Sequence, residues 1–258
     1  HPTPPPPTPP PPPPTPPPHP PTPPPPPPPP GPASLAAYKP AFTLAEVLVT
    51  LGIIGVVAAL TLPAVIAKYK RQESVSRLKK GYTTISQALT RAQVDNGDIS
   101  VWDSMATDSV ADDKDDAKVV KDVQTYILPY LSNVIAAKYG SLRDFGYSPY
   151  YTVKGETNTN LSTLNSQAYM ILTADSITYF FTRNSGGELL VYIDTDGNKK
   201  RNIWGRDAFI FYVKKDNKFI PLGTSSRENN LRSCKSDGKY CSALIMQDGW
   251  QMSKDYPW

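Results

Sequence analysis

The chain has 258 residues, with 27 Lys and Arg against 23 Asp and Glu and a formal net charge of +4. That near-balance excludes a strongly basic nucleic-acid binder, whose cations cluster in excess. The two histidines, His1 and His19, both stand at the extreme N-terminal side, which excludes a Ser-His-Asp triad, a Cys-His dyad and a histidine-held metal from everything after residue 19.

Residues 1–41 open the chain, and 24 of the 31 prolines lie in the first 30 positions. Proline has no N–H to give a helix or sheet, so this stretch cannot build a core. It reads as extended polyproline II, roughly 3.1 Å per residue. Such a tract is either a stiff spacer and ligand for proline-recognising domains or low-complexity sequence without a role.

Residues 42–67 change character: FTLAEVLVTLGIIGVVAALTLPAVIA carries one charge, Glu46. A bilayer core needs about 20 apolar residues as a helix, so the run is long enough to span. It is apolar all round, whereas a helix on a soluble core is apolar on one stripe. Lys68, Lys70 and Arg71 end it. Residues 68–94 continue as an amphipathic helix, with Val75, Leu78, Tyr82, Ile85 and Leu89 on one face. Asn96-Gly97 is the stop signal. The spacing predicts one helix about 80 Å long, bent where Pro63 removes a hydrogen bond.

Residues 95–258 form the head. An acidic loop with a short helix is expected over 98–122, and a helix over 118–138 interrupted near Pro129. Strands are expected at Ala168–Leu172, Ser176–Phe181, Glu188–Ile193, Asp207–Val213 and Phe219–Leu222, from their β-branched and aromatic content. The short links between them predict an antiparallel meander, since parallel strands need long crossovers. The fold class is therefore α+β, a long N-terminal helix followed by a small antiparallel-sheet head. The loop Asp194-Thr-Asp-Gly-Asn198 puts oxygen ligands at alternate positions, Asp194, Asp196 and Asn198. It either holds calcium or makes a metal-free turn of Asp, Asn and Gly.

The segment AFTLAEVLVTLGIIGVVAALTLP resembles the N-terminus of type IV pilins and type II secretion pseudopilins. Ala41 precedes Phe42, Glu46 is the fifth residue from Phe42, and Pro63 is the twenty-second. The resemblance implies a prepilin cut between Ala41 and Phe42 by a membrane prepilin peptidase, with methylation of the new amine. It implies that Phe42, Glu46 and Pro63 serve assembly, the Phe42 amine of one subunit attracting Glu46 of the next; the other reading of Glu46 is that it simply favours its own helix N-terminus. Gly52 and Gly55 either allow close helix packing or are tolerated glycines of a membrane helix.

The same resemblance implies a single-pass protein of the bacterial inner membrane, its head exported to the periplasm or cell surface. An exported head implies a Cys234–Cys241 disulfide, and pseudopilin heads that hold calcium raise the metal alternative for the Asp194 loop. The partners expected are other pilin subunits, the peptidase and the inner membrane. The function expected is a filament subunit of a pilus or secretion pseudopilus, with no enzymatic role. The alternative is a minor tip pilin or membrane-anchored binding protein whose head meets a surface, DNA or a secreted substrate. Tyr147, Tyr150 and Tyr151 would serve that alternative if exposed, and would serve the core if not.

Overall fold

The computed structural model describes residues 42–102, 113–147, 149–157, 167–184, 187–198 and 201–258, with Thr15 and residues 24–26. The polyproline reading and the cleavage-site residue Ala41 fall outside the described residues. The chain divides into two units, residues 1–53 and 54–258. Helix α1, Leu44–Asn96, runs without a break through Pro63. It stops where the sequence places the stop: Gly97 has φ +80°, and its N–H donates to the Gln93 carbonyl at 2.9 Å. Glycine takes that left-handed cap at no steric cost.

The second half of α1 buries one stripe, Ser74, Val75, Leu78, Gly81, Ile85, Ala88, Leu89 and Ala92. These recur every three or four residues, as one helix face requires. Tyr82 is half-buried among the rings of Phe211, Phe219 and Trp250 at 5.0–5.4 Å. Gly81 sets how close the helix comes: a Cβ there would stand 2.8 Å from Ile193 Cγ2.

The sheet is a six-stranded antiparallel meander in the order β1 to β6. The strands are β1 Val134–Gly140, β2 Ala168–Thr173, β3 Thr178–Arg183, β4 Leu189–Asp194, β5 Ala208–Val213 and β6 Phe219–Pro221. Alternate residues feed two cores. Tyr179, Phe181, Val191, Ile193 and Phe211 join the α1 stripe. Met170, Phe180, Tyr192 and Ile210 face the other way, under Leu142, Tyr147, Tyr150 and Trp204. With both faces covered, β4 is buried along its whole length.

One expectation fails. The segment 118–138 is not a single helix: α2, Asp113–Asp122, passes into a π turn and a 3-10 turn and ends by Tyr130. Pro129 cannot donate to a continuing helix, and Asn133 then takes φ +59°. Val134–Gly140 pairs with β2 as an edge strand, so sheet pairing overrides the helix preference of its alanines.

Two C-terminal helices follow, α3 (Arg227–Ser236) and α4 (Cys241–Gln247). Ser226 caps α3 by accepting from the Asn229 N–H. Cys234 and Cys241 are joined in a disulfide, with Cα atoms 4.7 Å apart, and both are fully buried against the sheet. Closing a loop this short contributes about 2.5 kcal/mol by the chain-entropy account. Cys234→Ser is therefore expected to lower the denaturation midpoint of the head. An unchanged midpoint, read by near-ultraviolet dichroism with and without reductant, would show that the link is energetically idle.

Candidate functional site

The residues marked for assembly begin at the N-terminal end of α1. Thr43 and Glu46 form a reciprocal cap. The Glu46 carboxylate accepts from the Thr43 backbone N–H at 2.9 Å and its hydroxyl at 2.8 Å, while the Glu46 N–H donates to Thr43 Oγ1 at 3.2 Å. This is the Thr-x-x-Glu capping box. The Thr43-x-x-Glu46 spacing is already visible in FTLAE. Glu46 thus has a local role, satisfying first-turn donors, besides any intersubunit one.

From Phe42 to Ile66 the large apolar side chains stand exposed, Phe42 at 86% and Leu60 at 76%. The helix is long and apolar enough to cross a membrane. Its two hydroxyls are satisfied within it: Thr50 donates to the Val47 carbonyl at 3.0 Å and Thr61 to the Val57 carbonyl at 2.9 Å. Gly52 and Gly55 have open space where a Cβ would stand. Pro63 sits within the helix at the cost of one N–H to the preceding turn.

The Asp194 loop is built for hydrogen bonds. Asp194 is fully buried at the end of β4. Its Oδ1 accepts from the backbone N–H of Asp196 at 3.2 Å and of Gly197 at 2.9 Å. Its Oδ2 accepts from the Tyr150 hydroxyl at 2.5 Å and the Asn202 amide at 3.1 Å. Four donors match the four lone-pair positions of a carboxylate. Asn198 turns its amide to the Gly146 carbonyl at 2.7 Å. Among the described residues no cluster of His, Cys, Asp or Glu is arranged to hold a metal ion.

Of the two readings of Asp194, Asp196 and Asn198, the geometry favours the metal-free turn, because both Asp194 oxygens are already held by donors of the protein itself. Burial pushes the Asp194 carboxyl well above its usual range, and the Tyr150 hydroxyl and the two backbone N–H groups work against that rise. Calcium and chelator are expected to give the same thermal melt. A rise with calcium would show that a cation displaces these donors.

Tyr147 and Tyr150 are also interior, at 9% and 4% exposure. Tyr147 donates to Thr178 Oγ1 at 2.8 Å, and the Tyr150 ring packs on Trp204 with centroids 4.7 Å apart. They belong to the core.

A groove that no sequence pattern announced lies where the apolar half of α1 gives way to the amphipathic half. Its cavity volume is about 630 Å³. Pro63, Ile66 and Ala67 form its apolar end, and Lys70, Arg71, Arg77, Arg201 and Arg206 bring cations. Glu73, Asp196 and Asp207 line it too, so positive charge prevails by 5 − 3 = 2. The head is fastened here. Ser74 Oγ donates to the Arg206 carbonyl at 2.5 Å, and Arg77 donates to the carbonyls of Thr195 and Asp175. Arg71 donates to the Trp258 carbonyl at 3.0 Å, and the Arg206 guanidinium lies over the Trp258 ring at 4.7 Å.

Residues 64–258, well over half of the chain, match the model of a family of unknown function. The chain belongs to DUF6613. No curated protein and no solved structure matches it. The DUF6613 match begins just after Pro63, so it takes in the rest of the groove, the buried stripe of α1, the sheet, the Asp194 turn and the disulfide. It leaves out residues 42–63, which carry Phe42, Glu46 and the pilin resemblance. The DUF6613 part supplies a head folded on its own stripe of α1, and the exposed apolar run lies mostly before it.

Proposed function

We propose that this chain is a structural subunit of a type IV pilus or type II secretion pseudopilus, made as a prepilin and cut before Phe42. The observation that carries the reading is the division of α1. Its first half exposes apolar side chains on every side, with Glu46 in the first turn, while the residues α1 buries against the head run from Ser74 to Ala92. A surface of that kind in water is costly. It belongs in lipid before assembly and against the helices of other subunits afterwards, where apolar contacts replace the bilayer. The single apolar segment suits a single-pass inner-membrane protein, and the buried disulfide suits a head exported to an oxidising compartment.

The alternative, a tip subunit or anchored binding protein, would use Tyr147, Tyr150 and Tyr151 as exposed contacts; Tyr147 and Tyr150 are interior and Tyr151 is half-buried. The subunit reading is therefore preferred. N-terminal sequencing of the protein from membranes of its native host is expected to begin at Phe42, with the same species recovered in sheared filament fractions. A mature chain that keeps the proline tract would overturn the prepilin reading.

A further inference from the structure

We propose that the groove beside Lys70, Arg71 and Arg206 binds the phosphate of an anionic phospholipid. The inference rests on reading residues 42–67 as a membrane span, which places the groove at the level of the headgroups.

Two observations call for an anion. Arg71 and Arg206 each bury their Nε–H with no hydrogen-bond partner. Among the described residues, neither guanidinium forms an ion pair with an Asp or Glu side chain. A buried N–H without an acceptor is costly, and the cations of the groove outnumber its carboxylates by 5 − 3 = 2. Trp258 holds the two groups in place, its carbonyl taking Arg71 and its ring stacking under Arg206. Lys70, one turn from Ala67, adds an exposed cation to the same groove. Phosphate oxygens accept several charge-assisted hydrogen bonds at once, which suits forked guanidinium donors.

The other end of the groove selects the source of that phosphate. Ile66 and Ala67 line it, and they continue into the exposed side chains of Leu62 and Val65 on α1. Inorganic phosphate would leave this apolar end in water. A phospholipid covers it, with the phosphate on the cations and acyl chains along the helix. Trp258 beside the groove and exposed Tyr69 are side chains that favour the headgroup region. Each basic side chain near an anionic surface strengthens association about fivefold.

The test uses the full chain, delipidated in neutral detergent, and native mass spectrometry. It is titrated with phosphatidylglycerol, phosphatidylcholine or inorganic phosphate. Phosphatidylglycerol is expected to bind at least about fivefold more tightly than phosphatidylcholine, with that preference lost in Arg71→Gln/Arg206→Gln. Lys70→Gln, at an exposed position, is expected to weaken phosphatidylglycerol about fivefold without disturbing the fold, and it decides the matter if the double variant unfolds. Equal affinity for the two lipids, unchanged affinity in Lys70→Gln, or occupancy by phosphate as tight as by phosphatidylglycerol would overturn the proposal. So would basic-groove dependence confined to a dimer of the chain. Flotation with neutral vesicles separates the two readings. A chain that floats but shows no anionic preference overturns this inference alone, and a chain that does not float overturns the membrane span as well.

Discussion

Glu46→Ala and Glu46→Gln are both expected to leave the chain in the membrane and to cut its recovery in sheared filaments by about two orders of magnitude. The pair matters because Glu46 has two roles to lose. It closes a capping box with Thr43, and in the proposed filament it is the counter-charge to the Phe42 amine of a neighbouring subunit. Glutamine can still close the box, since its side-chain oxygen accepts from the cap residue as glutamate does. It cannot neutralise a cation. Thr43→Ala does the reverse, removing a cap at a cost of about 1 kcal/mol while keeping the charge. The expected order of filament recovery is wild type, then Thr43→Ala slightly lower, then both Glu46 variants far below. A Glu46→Gln chain that assembles like wild type would mean that Glu46 serves only its own helix end. Membrane fractionation alongside shearing separates failed insertion from failed assembly.

Asp194→Asn is expected to destabilise the head by about 3 kcal/mol, although the side chain keeps its size. The carboxylate faces donors only: two backbone N–H groups, the Tyr150 hydroxyl and the Asn202 amide. An asparagine must turn its NH₂ toward one pair of them. That leaves buried donors opposed with no acceptor between, and each unsatisfied group costs roughly 1–3 kcal/mol. Tyr150→Phe removes one of the four bonds and is expected to cost about 1 kcal/mol. Burial of the charge pulls the other way, since it pushes the Asp194 carboxyl well upward. Chemical denaturation of the two variants weighs these effects: a stabilised Asp194→Asn head would mean that the cost of burying the carboxylate exceeds the worth of its hydrogen bonds.

The head's architecture was legible wherever a periodic pattern met a single environment. The amphipathic stripe Val75, Leu78, Ile85 and Leu89 is interior as its spacing implies. The last five strands lie within one or two residues of their expected bounds, because aromatic and β-branched runs between short turns have few other folds open to them. Over 134–138 the sequence predicts helix, and the structure has the strand Val134–Gly140. Alanines permit a helix or a strand, and only pairing with β2 decides between them. The helices α3 and α4 carried readable signals, the Ser226 cap and the Asp237-Gly238 stop, but little apolar periodicity, since the disulfide and a few buried side chains hold them.

The sequence by itself determined the elements whose cause is local: the apolar span from Phe42, the amphipathic continuation, the stop at Gly97, the meander and the pairing partners available to two cysteines. Only the tertiary structure decided what the polar residues do, because their partners are remote in the chain. Asp194, with its neighbours at 196 and 198, reads from sequence either as a metal ligand or as part of a metal-free turn. It becomes a buried hydrogen-bond acceptor because Tyr150, 44 positions away, and Asn202 close on it. Tyr147 and Tyr150 read equally as contacts or core until the far face of the sheet receives them. Arg71 and Arg206, 135 positions apart by 206 − 71, share one groove only because α1 lies beside the loop that follows β4. Periodicity reports which face of an element is apolar, and it carries no record of which distant side chain will meet a given charge.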